Sequence, residues 1–450
     1  MADQPDAARP PRRLAAIAQG FRALENRNFR IFWLGTVPAQ LGDALSALAI
    51  TWLTLRHTDS ALAFSVVAAV QGIPFFILTP LGGVLADRWP MRNLIVAVRI
   101  VAAVLTAALG VLVSVDAITL WWIYAFGAIT GVIATVGGPA TAGFVEELAG
   151  PDQQDLANAA ALLSTRDAAL HIVGGVAGGA LIARFGEAPC FYLAAIGILI
   201  HVWAVLAVDV KRLYLVQRRV VRGLFTSFKE GIAYAARTPD IAVLMVLGAA
   251  LTLFGAQVIM LVPFMARHLL GVGPAGLGTM RAFEGAGALL GSVFLDFLGR
   301  GTRRLLFLSA VVITVALLGI SLADRWPVFL ALFAFYSFSS VVYSGTTYAR
   351  LMAVTGAELQ GRMMATFALV GGPSSFVGMG AGALADRIGL RRTAALLTGF
   401  CGLGIVVALL YARRRRAQML PDMSDDPLLH AERRLVAGLR FASFPFNRAP

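Results

Sequence analysis

Ionisable residues are scarce in the apolar stretches of this chain, and most of those present are arranged in pairs. Arg281 and Glu284 stand three apart, Arg166 and Asp167 are neighbours, His171 follows Asp167 by four, and Asp43 lies in the first apolar stretch. Each such group costs on the order of 2.5–3.5 kcal/mol to insert, so each calls for a partner or a function. Residues three or four apart share a helix face. Arg281 with Glu284 is therefore either a structural ion pair or a switch in which Glu284 releases Arg281 on taking a proton. Asp167 with His171 is either a proton relay working near neutral pH or a satisfied buried hydrogen bond. Arg166 and Asp167 point about 100° apart and do not face one partner together. Asp43 reads as a proton or substrate ligand, or as a packing residue bonded to the backbone of the fourth or fifth stretch. Arg99 is close enough to one end of its stretch to snorkel, and His201 is isolated; neither is assigned a role.

The elements that carry these groups are punctuated by a ten-residue pattern, G-x-L-A-D-R-x-x-x-R, at Gly83–Arg92 and again at Gly382–Arg391. Both copies close a long apolar stretch. Gly83 and Gly382 allow close helix approach, Asp87-Arg88 and Asp386-Arg387 sit where the chain leaves the hydrocarbon, and Arg92 and Arg391 anchor the turn to headgroups. A version with Ala183 in place of Asp closes the fifth stretch, and a looser one with Gly291, Asp296 and Arg300 closes the eighth. The pattern thus returns every three stretches, as inverted three-helix repeats require.

Twelve stretches of membrane-spanning length start near Phe29, Ala61, Asn93, Thr119, Leu156, Pro189, Ile241, Ala275, Leu305, Trp326, Leu359 and Thr393. A composition 58% hydrophobic and 14% charged excludes an ordinary soluble domain. The stretches are too long and too continuous for a β-barrel. The expected fold class is an all-α polytopic membrane protein. Its net charge of +13 comes from 38 Lys and Arg against 25 acids. Most of the 38 fall in segments on the side of the N-terminus, which places both termini in the cytoplasm and directs the basic surplus to anionic lipid rather than nucleic acid. Arg387, Arg391 and Arg392 fall on the other side, against that rule.

Residues 1–28 form a polar segment whose Leu14, Ile17, Phe21 and Leu24 suit a short surface helix. Residues 209–240 read as a basic cytoplasmic linker helix between two six-helix bundles, 29–208 and 241–412. The tail, 413–450, opens with four arginines and continues either as a second surface helix over Leu428–Phe446 or as disordered chain. Cys190 and Cys401 imply no disulfide framework.

The copy at Gly83–Arg92 resembles the signature turn of the major facilitator superfamily, with Pro90 and Met91 as departures. Gly174-Gly175-Val-Ala-Gly178-Gly179 resembles that superfamily's antiporter motif, with Gly175 in place of Pro. Asn28 to Gly35, Leu41-Gly42-Asp43 and Leu156 to Ala159 are similar to bacterial exporters of siderophores and macrolides. The resemblance covers residues 28–412 and implies twelve transmembrane helices in a major-facilitator-type fold. It also implies that Asp87 meets the start of the helix beginning near Leu359, closing the cytoplasmic side. The alternative is that Asp87, Arg88 and Arg92 only stop the chain. The fourth stretch lacks the arginine found in many drug–proton antiporters.

Tyr336, Phe338 and Tyr343, interleaved with hydroxyls, are expected to wall a cavity for a bulky amphiphile; ordinary packing gives the same composition. There is no phosphate loop, no metal-spaced cluster and no nucleophile elbow, so neither an enzyme nor a cofactor is expected. The expected activity is export of small amphiphilic molecules, drug-, macrolide- or siderophore-like, by proton antiport in the cell membrane. A facilitator or importer, or a non-transporting receptor or scaffold, is the alternative.

Overall fold

The computed structural model describes residues 22–150, 152–214, 238–298, 302–355, 363, 366 and 370–415, with the side chains at 79–88, 153, 296 and 298 outside that description. Among the described residues there is no strand. Among the described residues, twelve helices fall in the twelve apolar stretches: α1 (Arg27–His57), α2 (Ala61–Arg88), α3 (Met91–Ser114), α4 (Leu120–Ala149), α5 (Gln153–Phe185), α6 (Ala188–Ala207), α7 (Pro239–Leu270), α8 (Pro274–Leu298), α9 (Arg303–Leu322), α10 (Trp326–Val354), α11 (Ser374–Ile388) and α12 (Leu390–Arg414). Nine of them are long and apolar enough to cross a membrane unaided. The other three are α1 and α8, which carry Asp43 and the Arg281–Glu284 pair, and α11, whose described part is short. The chain is a multi-pass membrane protein.

Helix starts follow local chemistry. The first backbone N–H groups of a helix lack partners within it, and short polar side chains supply them. Asn26, Ser60, Asp152 and Thr302 do so for α1, α2, α5 and α9.

The helices gather into two compact units. The first holds Met1–Val221 together with Leu261–Gly285 and Gly378–Asp386, that is, α1–α6, the end of α7, the first half of α8 and most of α11. In it α1 lies along α6, α2 along α4, and α3 along α6. Fully buried Phe29, Phe32 and Phe144 anchor one end of its core, with Phe32 and Phe144 edge to face at 5.5 Å. Polar ties finish that end. Asn28 exchanges hydrogen bonds with the backbone of Asp209 after α6 (3.0 and 3.2 Å). Asn158 accepts from the Ala23 N–H (3.0 Å), and Arg22 pairs with Asp155 (3.2 Å). The motif residues Asn28 and Asn158 thus act here as staples. At the other end of the unit, the Arg267 guanidinium lies 5.0 Å over the Trp52 ring.

The second unit holds Arg222–Met260, Ala286–Val377 and Arg387–Pro450. Here α9 packs on α10 and α12, and α12 packs on α7. Asp240, at the first turn of α7, is buried between Arg303 of α9 (3.2 Å) and Arg350 of α10 (3.0 Å). Within α7, Leu251–Gly255 is a π-helical turn. Such a turn leaves the regular ladder, and the buried Gln257 amide donates to the Thr252 carbonyl at 3.2 Å. Of the predicted linker helix, 209–240, the described parts are a short turn, Val210–Arg212, with its flanking residues, and 238–240, where α7 already begins at Pro239. Residues 215–237 lie outside the described residues, as does the tail beyond 415. Of the predicted N-terminal surface helix, only the 3-10 turn Arg22–Glu25 is described.

Removing one partner of a buried ion pair leaves an uncompensated charge, at a cost of about 3–5 kcal/mol. Asp240→Ala is therefore expected to lower the thermal midpoint of the detergent-purified protein clearly. An unchanged midpoint would show that Arg303 and Arg350 do not depend on this carboxylate.

Candidate functional site

The second copy of the ten-residue pattern joins the two ends of the sequence. Asp386, near the end of α11, lays its carboxylate across the N-terminus of α2. Its Oδ1 accepts from the Ala61 N–H (2.6 Å), and its Oδ2 accepts from the Leu62 N–H (3.1 Å) and the Ser60 hydroxyl (2.6 Å). Ser60 in turn accepts from the Ala63 N–H (3.2 Å). Three N–H groups that α2 itself leaves unpaired are thereby satisfied, and an anion sits at the positive end of the helix dipole. Gly382, one turn earlier, makes this approach possible. A Cβ there would fall 2.5 Å from Ser65 Oγ and 2.6 Å from the Ala61 carbonyl.

The closing arginines of the two copies do different work. Arg92 donates through Nε to the Val205 carbonyl (3.1 Å) and also reaches the Leu206 carbonyl, capping the negative end of α6. Arg391 pairs with Asp324 in the turn between α9 and α10. Arg387 is exposed. The side chains of Gly83–Arg88, including Asp87, lie outside the described residues, as does the start of the stretch that Asp87 is expected to meet.

The intramembrane charges of the first unit resolve into pairs. Asp43 of α1, read from the sequence as a proton or substrate ligand or as a packing residue bonded to backbone, meets Arg99 of α3 at 3.5 Å, so the arginine left without a role is its partner. Arg166 bends back onto its neighbour Asp167, with Nε 2.9 Å and a terminal nitrogen 2.6 Å from one carboxylate oxygen, and also reaches the Thr36 hydroxyl. Adjacent positions on a helix thus do meet, because the long arginine side chain curls to its own neighbour. His171 is exposed, and no hydrogen bond or ion pair joins it to Asp167. Arg281 and Glu284 form the expected pair at 2.8 Å. His201 is buried, edge-on to Phe32 at 5.5 Å, and neither ring nitrogen has a hydrogen-bond partner among the described residues.

The glycine-rich motif of α5 lies along this chemistry. A Cβ on Gly175 would stand 2.6 Å from Arg281 Cβ, and one on Gly179 would stand 2.9 Å from Gly278 Cα and the Pro274 carbonyl. Any side chain at either position would push α8 away. Gly174 and Gly178 face α1, against Ala44 and Leu45.

In the second unit, a cavity of about 350 Å³ opens between α7 and α10, with Ile313 of α9 in its wall. The π-helical turn of α7 forms one side, and Tyr336, Tyr343 and Thr347 stand on the other. Two of the three predicted wall residues, Tyr336 and Tyr343, are thus placed together. Phe338 points elsewhere, packed on Phe294 (5.2 Å) and Phe335 (6.2 Å). Thr252, Ser340, Ser344 and Thr347 are wall residues beyond those predicted. The hydroxyl stripe along α10 at one residue per turn, Tyr336, Ser340, Tyr343 or Ser344, Thr347, is the sequence signal for them.

The fold and these motifs define a transporter of the major facilitator type. Residues 18–438 match the family described as transmembrane secretion effector, and the chain belongs to that family. It is 26% identical over 388 residues to the multidrug efflux pump Tap of Mycolicibacterium fortuitum, covering 83% of this chain and 93% of Tap. It is 23% identical to macrolide efflux protein A of Streptococcus pyogenes, covering 81% of this chain and 90% of that protein. With the enterobactin exporter EntS of Salmonella typhimurium it shares 25% identity, over 88% of this chain and 95% of the exporter. A bacterial homologue of the iron transporter ferroportin in an inward-facing state has the same fold, with a TM-score of 0.67, 16% identity, and coverage of 86% of this chain and 98% of that one.

The Asp43–Arg99 contact is testable without a substrate. Asp43→Asn and Arg99→Met should each lower the thermal midpoint, and the double substitution should cost less than their sum. Contacting residues of this kind couple by about 0.5–3 kcal/mol. Strict additivity would show that the two charges do not interact.

Proposed function

We propose that this chain exports small amphiphilic molecules, drug-, macrolide- or siderophore-like, across the cell membrane by proton antiport, with both termini in the cytoplasm. The observation that carries the reading is Asp386 at the N-terminus of α2, where a residue from the second half of the sequence holds a helix from the first. On this topology the α1–α2 turn faces outward, and Asp386 is the latch of the outer side. Asp87, in the matching copy of the pattern, is its counterpart on the inner side, facing the start of the eleventh stretch. Alternate making and breaking of two carboxylate-to-helix caps gives alternate access. The bundles 29–208 and 241–412, joined by the 209–240 linker, are the bodies that rock; the basic tail 413–450 lies on anionic lipid.

The efflux relatives support the direction of transport, and the compounds they are named for supply the substrate classes. Proton coupling rests on paired acids. Asp43 beside Arg99 and Glu284 beside Arg281 each exchange a counter-ion for a proton if the pair opens during the cycle, and Asp167 beside Arg166 is the third such pair.

A cap of this kind contributes about 1 kcal/mol relative to Ala, so Asp386→Ala should shift the balance between states roughly fivefold. The expected result is reduced efflux of a fluorescent amphiphilic dye from proteoliposomes at unchanged expression, together with greater thiol reactivity of a cysteine placed at Leu62. Unaltered efflux and reactivity would reduce Asp386 to a stop signal. For coupling, an imposed gradient, acid on the side that receives the dye, should accelerate efflux, and Glu284→Gln or Asp43→Asn should abolish the acceleration. If the unsubstituted protein ignores the gradient, antiport is wrong.

A further inference from the structure

The cavity of the second unit differs in chemistry from the charged clusters described above, whose side chains come as ion pairs. Among the described residues, the wall of this cavity contains no Asp, Glu, Lys, Arg or His, and its polar side-chain atoms are hydroxyls: Thr252 from α7, and Tyr336, Ser340, Tyr343, Ser344, Thr347 and Tyr348 from α10. Tyr343 and Thr347 are 8% and 4% exposed. Beyond one another, their hydroxyls have no hydrogen-bond partner among the described residues. Bonded to one another, the two hydroxyls still leave one O–H unused; a buried donor in that condition costs about 1–3 kcal/mol, so the pair points to something that enters the space it lines. The opposite side is the π-helical turn Leu251–Gly255, an irregularity found frequently at functional sites.

From this geometry we infer that the α7–α10 cavity is a binding site for the uncharged, oxygen-rich ring portion of an amphiphile, such as a glycoside or lactone ring. This rests on the transport reading above for its purpose, though not for its existence. An ionised group entering the cavity would shed its hydration and find no opposite charge among the described wall residues, at a large cost. Hydroxyls both donate and accept, so a row of them at one residue per helical turn matches ring hydroxyl and ether oxygens. The tyrosine faces take the apolar side of the same ring. The volume of about 350 Å³ equals that of about a dozen water molecules, enough for a ring system but not for a large macrocycle. The bulk of a larger substrate would lie elsewhere.

Three aryl probes separate the possibilities: phenyl β-glucoside (neutral), phenyltrimethylammonium (cationic) and phenyl phosphate (anionic). Each is titrated into the full chain in lipid nanodiscs, and the thermal midpoint is read, since a ligand of the folded state raises it with concentration. The glucoside should raise the midpoint, and the other two should not. Tyr343→Phe and Thr347→Val should each weaken the glucoside's apparent affinity about three- to tenfold, the effect of one lost hydrogen bond. Phe338→Leu, on another face of α10, should leave it unchanged. Should Tyr343→Phe not fold, Thr347→Val alone decides. The inference is overturned if the glucoside has no effect, if both hydroxyl variants bind it as tightly as the original chain, or if the ammonium ion binds best, in which case the tyrosines form a cation cage. Dye efflux measured in parallel keeps the two readings apart. Efflux without glucoside binding sinks the cavity assignment and leaves transport standing. Glucoside binding lost in the two hydroxyl variants, but with no efflux under any gradient, upholds the cavity and sinks transport.

Discussion

A charge carried into hydrocarbon cannot rely on water, and four acids among the described residues answer that constraint with partners from the protein itself. Asp43 has Arg99, Asp167 has Arg166, Glu284 has Arg281, and Asp240 has both Arg303 and Arg350. Such pairs are weak as stabilisers, because the desolvation they suffer offsets much of their attraction. They are strong as constraints, since a helix that moves away from its partner strands a charge. The same pairs that fix the resting arrangement therefore make protonation a natural way to release it.

Helix termini impose the same constraint in milder form. The N–H groups at the start of a helix and the carbonyls at its end need partners that lipid does not offer. The chain meets this need locally with Asn26, Ser60, Asp152 and Thr302, and at long range with Asp386 on α2 and Arg92 on α6. A long-range cap differs from a local one, because it breaks when the helices part. The repeated ten-residue pattern supplies both kinds of group at once: an acid for the start of one helix and an arginine for the end of another.

Much of this was legible in the sequence. Spans show as long apolar runs, and the repeated pattern shows where helices meet, because both are local in the chain. The Arg281–Glu284 pair was equally visible, being one turn apart on one helix. The Asp43–Arg99 pair was not. Arg99 is eight residues into α3, about 12 Å along it, whereas Asp43 is sixteen residues into α1, about 24 Å. Depth counted along each helix thus separates two groups that the reach of an arginine side chain joins. Arg166 illustrates the opposite error: backbone geometry alone directs it away from Asp167, and side-chain flexibility brings it back. The cavity was half visible. Tyr336 and Tyr343 were identifiable from composition, but Phe338, two residues from the first, turns to the other side of the helix. Thr252 enters the wall only through a turn that no residue preference announces.

That turn also fixes how much of α7 is one object. A π-helical segment contains about one residue more than the regular helix would need for the same rise, so the sequence on either side runs out of phase by about 100°. Deleting one residue within Leu251–Gly255 would heal the ladder, but would also rotate everything that follows by that angle and swing Arg267 off the Trp52 ring. The division between the two compact units falls at Met260–Leu261, just beyond this phase slip. A single apolar run of 32 residues, Pro239–Leu270, thus presents one face before the turn and a differently oriented one after it.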